Sequence, residues 1–283
     1  MFQFQSFGSG SSGNSYVIRT DGSQIVIDAG VGIRKLRKMW HEYGVSTGKT
    51  DGILVTHNHV DHVRSLGILT TKDKLRAFLT EGALRGIRSN PTITKKPNPD
   101  TTTLIEKGKP FTIGDIEVTA FTVPHDAVDN VGYFIQHGDT RFCIVTDCGH
   151  WTEEIDAYVD KANQLVVESN YDEQMLTNGP YPAPLQRRIR GSHGHLSNDE
   201  TADVIRRHGH HLRHIWLCHL SDKNNTHDKA LQNALRAWQE QSGANSGNNP
   251  EIIALEREKP SPVYDLENAD SDLENVITLD LFS

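Results

Sequence analysis

The sequence predicts an α/β fold in which two mixed sheets pack face to face with helices on their outer sides. Three observations carry this. Short apolar runs bounded by turn residues recur along the chain, and segments of helical periodicity lie between them. The runs also fall into two successive groups, strands with interleaved helices and then strands and helices again, which suits a layered sandwich. With 283 residues, 36% hydrophobic and 23% charged, the chain is sized for one catalytic domain, read as 1–258, plus an acidic tail over 259–283.

Taken in order, strand-like runs occupy 2–7, 15–19 and 24–28, with Gly8, Gly10 and Gly13 marking the turn between the first two. Ile33, Leu36, Met39 and Trp40 recur at helical spacing over 33–41. The apolar run Ile53–Thr56 ends at a histidine cluster, and 62–88 read as helix, a short strand at 77–79, and helix. The Pro-rich stretch 90–100 is a loop, followed by strands at 102–105, 111–122, 131–137 and 141–146. A helix is expected near 152–160 and a strand at 165–168. Ser197, three residues before Glu200, forms a capping-box pattern that opens a helix running to about 208. A strand at 214–218, a helix near 227–240, a turn over 243–250 and a strand at 251–255 complete the body. No internal repeat is visible.

Composition excludes some classes. No apolar run approaches the roughly 18 residues that a membrane span needs. The opening MFQFQSFGSGSSGNS has no basic segment followed by an apolar core, so no secretory leader is expected. Cys143, Cys148 and Cys218 are an odd number without paired spacing, which suits free thiols in a reducing, cytoplasmic setting. The formal charge is -8, but residues 260–283 hold six acids and no Lys or Arg, so the rest of the chain has 31 acidic against 29 basic residues. Two basic stretches stand out. One runs over 72–96 (Lys72, Lys74, Arg76, Arg85, Arg88, Lys95, Lys96), and the other is Arg187, Arg188 and Arg190. Each is either a solvated face or a track for a phosphate backbone.

The strongest local signal is His57-Asn58-His59-Val60-Asp61-His62, with four potential metal ligands in six residues after an apolar strand. In extended chain, residues two apart face the same side, so His57 and His59 can hold one ion, while Asp61 and His62 turn toward a neighbouring position. Imidazole and carboxylate suit Zn, Mn or Fe.

This pattern resembles the signature of the metallo-β-lactamase superfamily, an αββα sandwich with a binuclear centre at one sheet edge. Further motifs follow in matching order: Asp28 in QIVIDAG, His125 in VPHDA, Asp147 in IVTDCG and His219 in CHLS. The resemblance covers about 1–255. It departs at Ser65, where many members carry Gly. It implies two divalent ions (Zn or Mn, with Fe compatible). His57, His59 and His125 would hold one, Asp61, His62 and His219 the other, and Asp147 would lie between them. Read alone, His125 and Asp147 also fit plain turns, and His219 also fits a core histidine at a strand end.

Such a centre serves phosphodiester, thioester and lactam hydrolysis alike. Gly194-His195-Leu196-Ser197-Asn198 resembles the second-histidine motif of phosphodiesterase members such as RNase Z, where the histidine protonates the leaving oxygen. An alkoxide leaving group needs that acid. Glu168 in VVESNYD resembles the carboxylate that orients this histidine, and otherwise reads as a solvated strand end. Asp61 is expected to help deprotonate water as well as bind metal. The wider set GSGSSGNS, ESNYD, YPAPLQRRI, GHLSN and HLSDKNN resembles the YycJ/WalJ-like nuclease and phosphodiesterase branch. It implies a 5′-end exonuclease on single-stranded DNA or RNA in repair or replication, with a small-molecule hydrolase as the alternative. Asn14, Ser197, Asn198 and Asn224 are candidate substrate contacts, although Asn14 equally reads as part of a hairpin turn. The histidines at 208, 210, 211 and 214 read as a helix end and loop.

The acidic stretch 260–276 is expected to be a disordered linker. The end, Ile277 to Ser283, resembles the short motif by which bacterial replication and repair proteins dock on a sliding clamp, with Leu279, Leu281 and Phe282 as anchors. The plainer reading is a strand that packs back on the body.

Overall fold

The computed structural model describes residues 1–242 and 249–267. In chain order its first half holds β1 (Phe2–Gly8), β2 (Ser15–Thr20), β3 (Gln24–Ile27), α1 (Ile33–Glu42), β4 (Gly52–Leu54), α2 (Val60–Val63), α3 (Leu66–Thr71), β5 (Ala77–Leu79), α4 (Glu81–Ser89) and β6 (Thr102–Leu104). The second half holds β7 (Phe111–Ile113), β8 (Ile116–Thr122), β9 (Val131–His137), β10 (Thr140–Val145), α5 (Glu153–Val159) and β11 (Gln164–Glu168). It continues with α6 (Glu173–Asn178), α7 (Ala183–Ile189), α8 (Asn198–His208), β12 (His214–Cys218), α9 (His227–Ser242), β13 (Glu251–Ala254) and β14 (Tyr264–Asp265).

Among the described residues the strands form two seven-stranded mixed sheets, ordered β14-β1-β2-β3-β4-β5-β6 and β13-β12-β11-β10-β9-β8-β7. Strand period decides the layering, because alternate residues face opposite sides. Phe4, Tyr16, Ile18, Ile25 and Ile27 of the first sheet meet Val118, Tyr133, Phe142, Val166 and Trp216 of the second in one buried core. The intervening residues Val17, Val26 and Ile53 face outward and are covered by Leu36, Met39 and Trp40 of α1 together with α3 and α4. Cys143, Val145, Leu165, Val167 and Leu217 are covered in the same way by α5, α8 and α9. Both faces of each sheet are therefore apolar, which gives four layers.

Three expectations are corrected. The single strand expected over 111–122 is a hairpin, because Gly114 takes φ +59° and turns the chain between β7 and β8. The segment 173–189, given no structure from the sequence, forms α6 and α7. Pro182 is the N-cap residue of α7 and Pro184 sits in its first turn, where a missing backbone N–H costs nothing. The body also does not stop at 258. Tyr264 and Asp265 pair antiparallel with Phe4 and Gln3, and Leu266 is buried. β14 covers the outer edge of β1, an edge that would otherwise expose unpaired backbone groups. The rest of the expected linker, the clamp-like Leu279, Leu281 and Phe282, and most of the turn expected over 243–250 lie outside the described residues.

Candidate metal centre

The site is built where strands end. Asp28 follows β3, Asp147 follows β10 and His219 follows β12, and all three take left-handed backbone, with φ of 59°, 52° and 52°. That conformation costs a residue with a side chain roughly 1–2 kcal/mol. Each left-handed residue swings the chain off its strand, and the three side chains meet His62 or one another at the strand ends.

Hydrogen bonds then set the ring tautomers. Thr56 Oγ1 donates to Asp28 Oδ2 at 2.8 Å and accepts from His57 Nδ1 at 3.0 Å. His62 Nδ1 donates to the same Asp28 oxygen at 2.7 Å. His125 Nδ1 donates to the Gly194 carbonyl at 2.8 Å, and His219 Nδ1 donates to Glu168 Oε1 at 2.8 Å. With each Nδ1–H committed, each Nε2 is the ring atom left to face inward, the pattern of metal-binding histidine. His57 Nε2 and His219 Nε2 are buried without any hydrogen-bond partner. His59 Nδ1 lies 3.3 Å from His125 Nε2, so two ring nitrogens converge on one point.

Four sets of donor atoms converge closely enough to share a cation: His57, His59 and His125; Asp61, His62 and His219; His57, His62 and Asp147; and Asp147, Glu168, His195 and His219. Asp147 touches both sides of the centre. Its Oδ2 lies 3.1 Å from His62 Nε2, and its Oδ1 lies 3.7 Å from His125 Nε2 and 3.3 Å from His219 Nδ1. Asp61 Oδ2 is 3.6 Å from His219 Nε2. Unpaired buried imidazoles and a buried carboxylate are costly in a dry interior unless a cation meets them. The donor set therefore fits divalent metal ions.

Electrostatics follow from burial and this crowding. Burial lowers the His57 pKa, and the neighbouring His62 lowers it further, so the ring stays neutral as a ligand requires. Burial alone would raise the Asp147 pKa, but His219 and His62 outweigh it and hold the carboxyl well below the usual range.

Beside this cluster sits an acid–base pair. Glu168 is fully buried at the end of β11. Its Oε1 accepts from His195 Nδ1 and from His219 Nδ1, each at 2.8 Å, and its Oε2 accepts from the backbone of Cys148 and Leu196. Burial lowers the His195 pKa, while the Glu168 charge and hydrogen bond raise it by more, for a net rise.

The four candidate substrate contacts are buried and bonded within the protein. Asn14 is buried, with Oδ1 accepting from Gly10 N and Nδ2 lying 2.9 Å from His62 Nε2. Ser197 caps α8 in the expected box with Glu200. Asn198 bonds Ser169 and Asn225, and Asn224 bonds Ser221, all inside the protein. The histidines near 210 stay apart from the centre: His208 pairs with Asp156 at 2.8 Å and with Asp160 at 3.0 Å, and His214 Nδ1 donates to Gln164. The thiols of Cys143, Cys148 and Cys218 are unpaired and buried, and burial pushes each pKa up.

Sequence reasoning missed three residues that shape the site. Thr56 relays between Asp28 and His57. Asp126, whose Oδ1 is 3.3 Å from His125 Nε2, pairs with Arg188 at the rim. Asn130 Nδ2 donates to the Asp147 carbonyl. Only the adjacency of Asp126 to His125 in VPHDA offered a signal.

Two seven-stranded sheets sandwiched between helices, with histidines and carboxylates gathered at the strand ends, define the metallo-β-lactamase fold. The chain belongs to the family described as "Beta-lactamase superfamily domain", whose model matches residues 23–219. Exodeoxyribonuclease WalJ of Streptococcus pneumoniae serotype 2 (strain D39 / NCTC 7466) is 33% identical over 230 residues, covering 81% of this chain and 85% of WalJ. Exodeoxyribonuclease YycJ of Bacillus anthracis is 31% identical over 264 residues, covering 92% and 97%. Among solved structures, the metallo-beta-lactamase fold protein YhfI of Bacillus subtilis superposes with a TM-score of 0.70 at 17% identity over 94% of this chain and all of YhfI. Human tRNase Z, short form (ELAC1), superposes at 0.60 with 16% identity over 93% of this chain and 100% of its own. Among the described residues no helix is long and apolar enough to cross a membrane.

Proposed function

We propose that this chain is a metal-dependent exonuclease that hydrolyses phosphodiester bonds, removing nucleotides from the 5′ end of single-stranded DNA in a cytoplasmic repair or replication setting. The observation that carries it is the Glu168 carboxylate held between His195 and His219, which joins a proton donor to the metal-ligand cluster. The names of the two relatives aligned over most of their length support the exonuclease reading and DNA as the substrate.

His57, His59 and His125 would hold one divalent ion and Asp61, His62 and His219 a second, with Asp147 reaching both. When bound, such ions lower the pKa of water and stabilise the charge on a phosphoryl oxygen. The chain's own groups do the rest. Asp61, only partly buried, accepts the proton of the attacking water. As the new P–O bond forms, the bond from phosphorus to the leaving 3′-oxygen breaks, and His195 Nε2 gives that oxygen its proton. Glu168 fixes the orientation of His195 through Nδ1 and favours its charged form. Asn14, Ser197, Asn198 and Asn224 are the proposed substrate contacts, and Asn14 also lies against His62 while Ser197 caps α8. Leu279, Leu281 and Phe282 are the proposed anchors to a sliding clamp, supported by the terminal motif alone.

End-labelled single-stranded DNA tests the proposal. The purified protein should shorten it stepwise from the 5′ end, stop when a chelator removes the metal, and resume when Mn²⁺ or Zn²⁺ is restored. DNA left intact while small esters are hydrolysed would refute it.

The acid role carries a pH signature. His195 must be protonated to donate, so the rate falls as pH rises through its pKa, and Glu168 raises that pKa above the ordinary histidine value of 6.5. Glu168→Gln removes the raising charge, so the falling limb of the kcat profile should move to lower pH. A limb that does not move would rule out the pairing as its source.

A further inference from the structure

The segment between Asn170 and His195 forms a separate wall beside the centre. Tyr171, Leu176 and Ile189 make a small apolar core of their own, with Tyr181 and Leu185 packed against it. Arg190 braces its two helices, donating to Glu173 Oε1 at 2.8 Å and to Thr177 Oγ1 at 2.6 Å. The wall is tied to the body where Asp172 N donates to the Asn224 carbonyl, and it leads straight into the proton donor, whose backbone N donates to Ile189 O at 2.9 Å. The wall's orientation is thus coupled to that of His195.

Tyr181, Leu185 and Arg188 of this wall face His195 and Asp126 across a cleft of about 170 Å³. Tyr181 and Ser11 also line an adjoining groove of about 500 Å³ in which Lys223, Arg257 and Lys259 stand beside Asp222, Glu256 and Glu258. An aromatic ring therefore stands between the cleft at the proton donor and a groove of mixed charge, with Arg188 as the cation of the cleft. Arg188, largely exposed, is held at the cleft by Asp126. Rings for stacking bases together with cations for the backbone are what single-stranded nucleic acid requires.

We infer that the 171–190 wall is a nucleoside-binding subsite. Tyr181, flanked by Leu185, stacks the unpaired base next to the scissile phosphate, and Arg188 meets that nucleotide's phosphate in exchange for Asp126. The inference rests on the nuclease reading and deepens it, because only an unpaired base can offer its face to Tyr181.

The test compares a 3′-labelled single-stranded tetranucleotide with the same strand lacking its first two bases. Two readouts are taken: kcat/KM with Mn²⁺, and binding by fluorescence anisotropy in chelator. Wild type should favour the intact strand. Tyr181→Ala should lose roughly 5–150-fold toward that strand, the span expected for one base–aromatic stack, and should be unchanged toward the abasic strand, whose constancy reports an intact fold. Tyr181→Phe should behave as wild type. Tyr181→Ala that keeps the wild-type preference in both readouts overturns the subsite. A wild type that binds the intact strand better but cleaves neither strand overturns the nuclease reading and leaves the subsite standing.

Discussion

Asp147→Asn should yield a folded protein with less bound metal and activity reduced by more than about a hundredfold, since losing even an outer-shell partner costs roughly 10–100-fold. Asn is the informative replacement because it tolerates the left-handed backbone that this position requires, φ 52°. The fold should survive while the charge facing His62, His125 and His219 is lost. Elemental analysis of the dialysed protein checks the metal, and circular dichroism checks the fold. Full metal content with full activity would show that Asp147 does not join the two halves of the centre.

His195→Ala tests a different part of the machinery and should leave the metal in place. Its ring bonds Glu168 and lies 3.9 Å from Asp147, outside the two ligand triads of His57, His59 and His125 and of Asp61, His62 and His219. On DNA, kcat should fall by about 10²–10⁴-fold, the usual worth of a positioned general acid, with KM little changed. The decisive comparison uses a thymidine 5′-phosphodiester whose leaving group is p-nitrophenolate, which departs without a proton. There the loss should shrink to a small factor. An equal loss on both substrates would mean that His195 binds the phosphate instead of protonating the leaving oxygen.

Much of this was legible in residue order. The density of ligands over 57–62 pointed to the cluster of histidines and carboxylates that the fold gathers and that could hold a metal ion. The capping box at Ser197 and Glu200 forms as its spacing implied, since it depends on residues only three apart. What stayed hidden depended on contacts between distant segments. The pairing of β14 with β1 joins residues some 260 positions apart, and its two-residue strand has no periodicity to detect. The α6–α7 wall was invisible because its helices are six and seven residues long and are held by tertiary packing, not by propensity. The asparagines near the motifs are candidate substrate contacts by their place in the sequence. The structure adds that they are buried and bonded within the protein.

The left-handed corners at Asp28, Asp147 and His219 bear on how such a protein can change. A glycine at Asp147 or His219 would relax the backbone but remove a group proposed to hold metal, and at Asp28 it would also leave the buried Thr56 and His62 donors without their partner. Thermal robustness and catalysis therefore pull Asp147 and His219 in opposite directions.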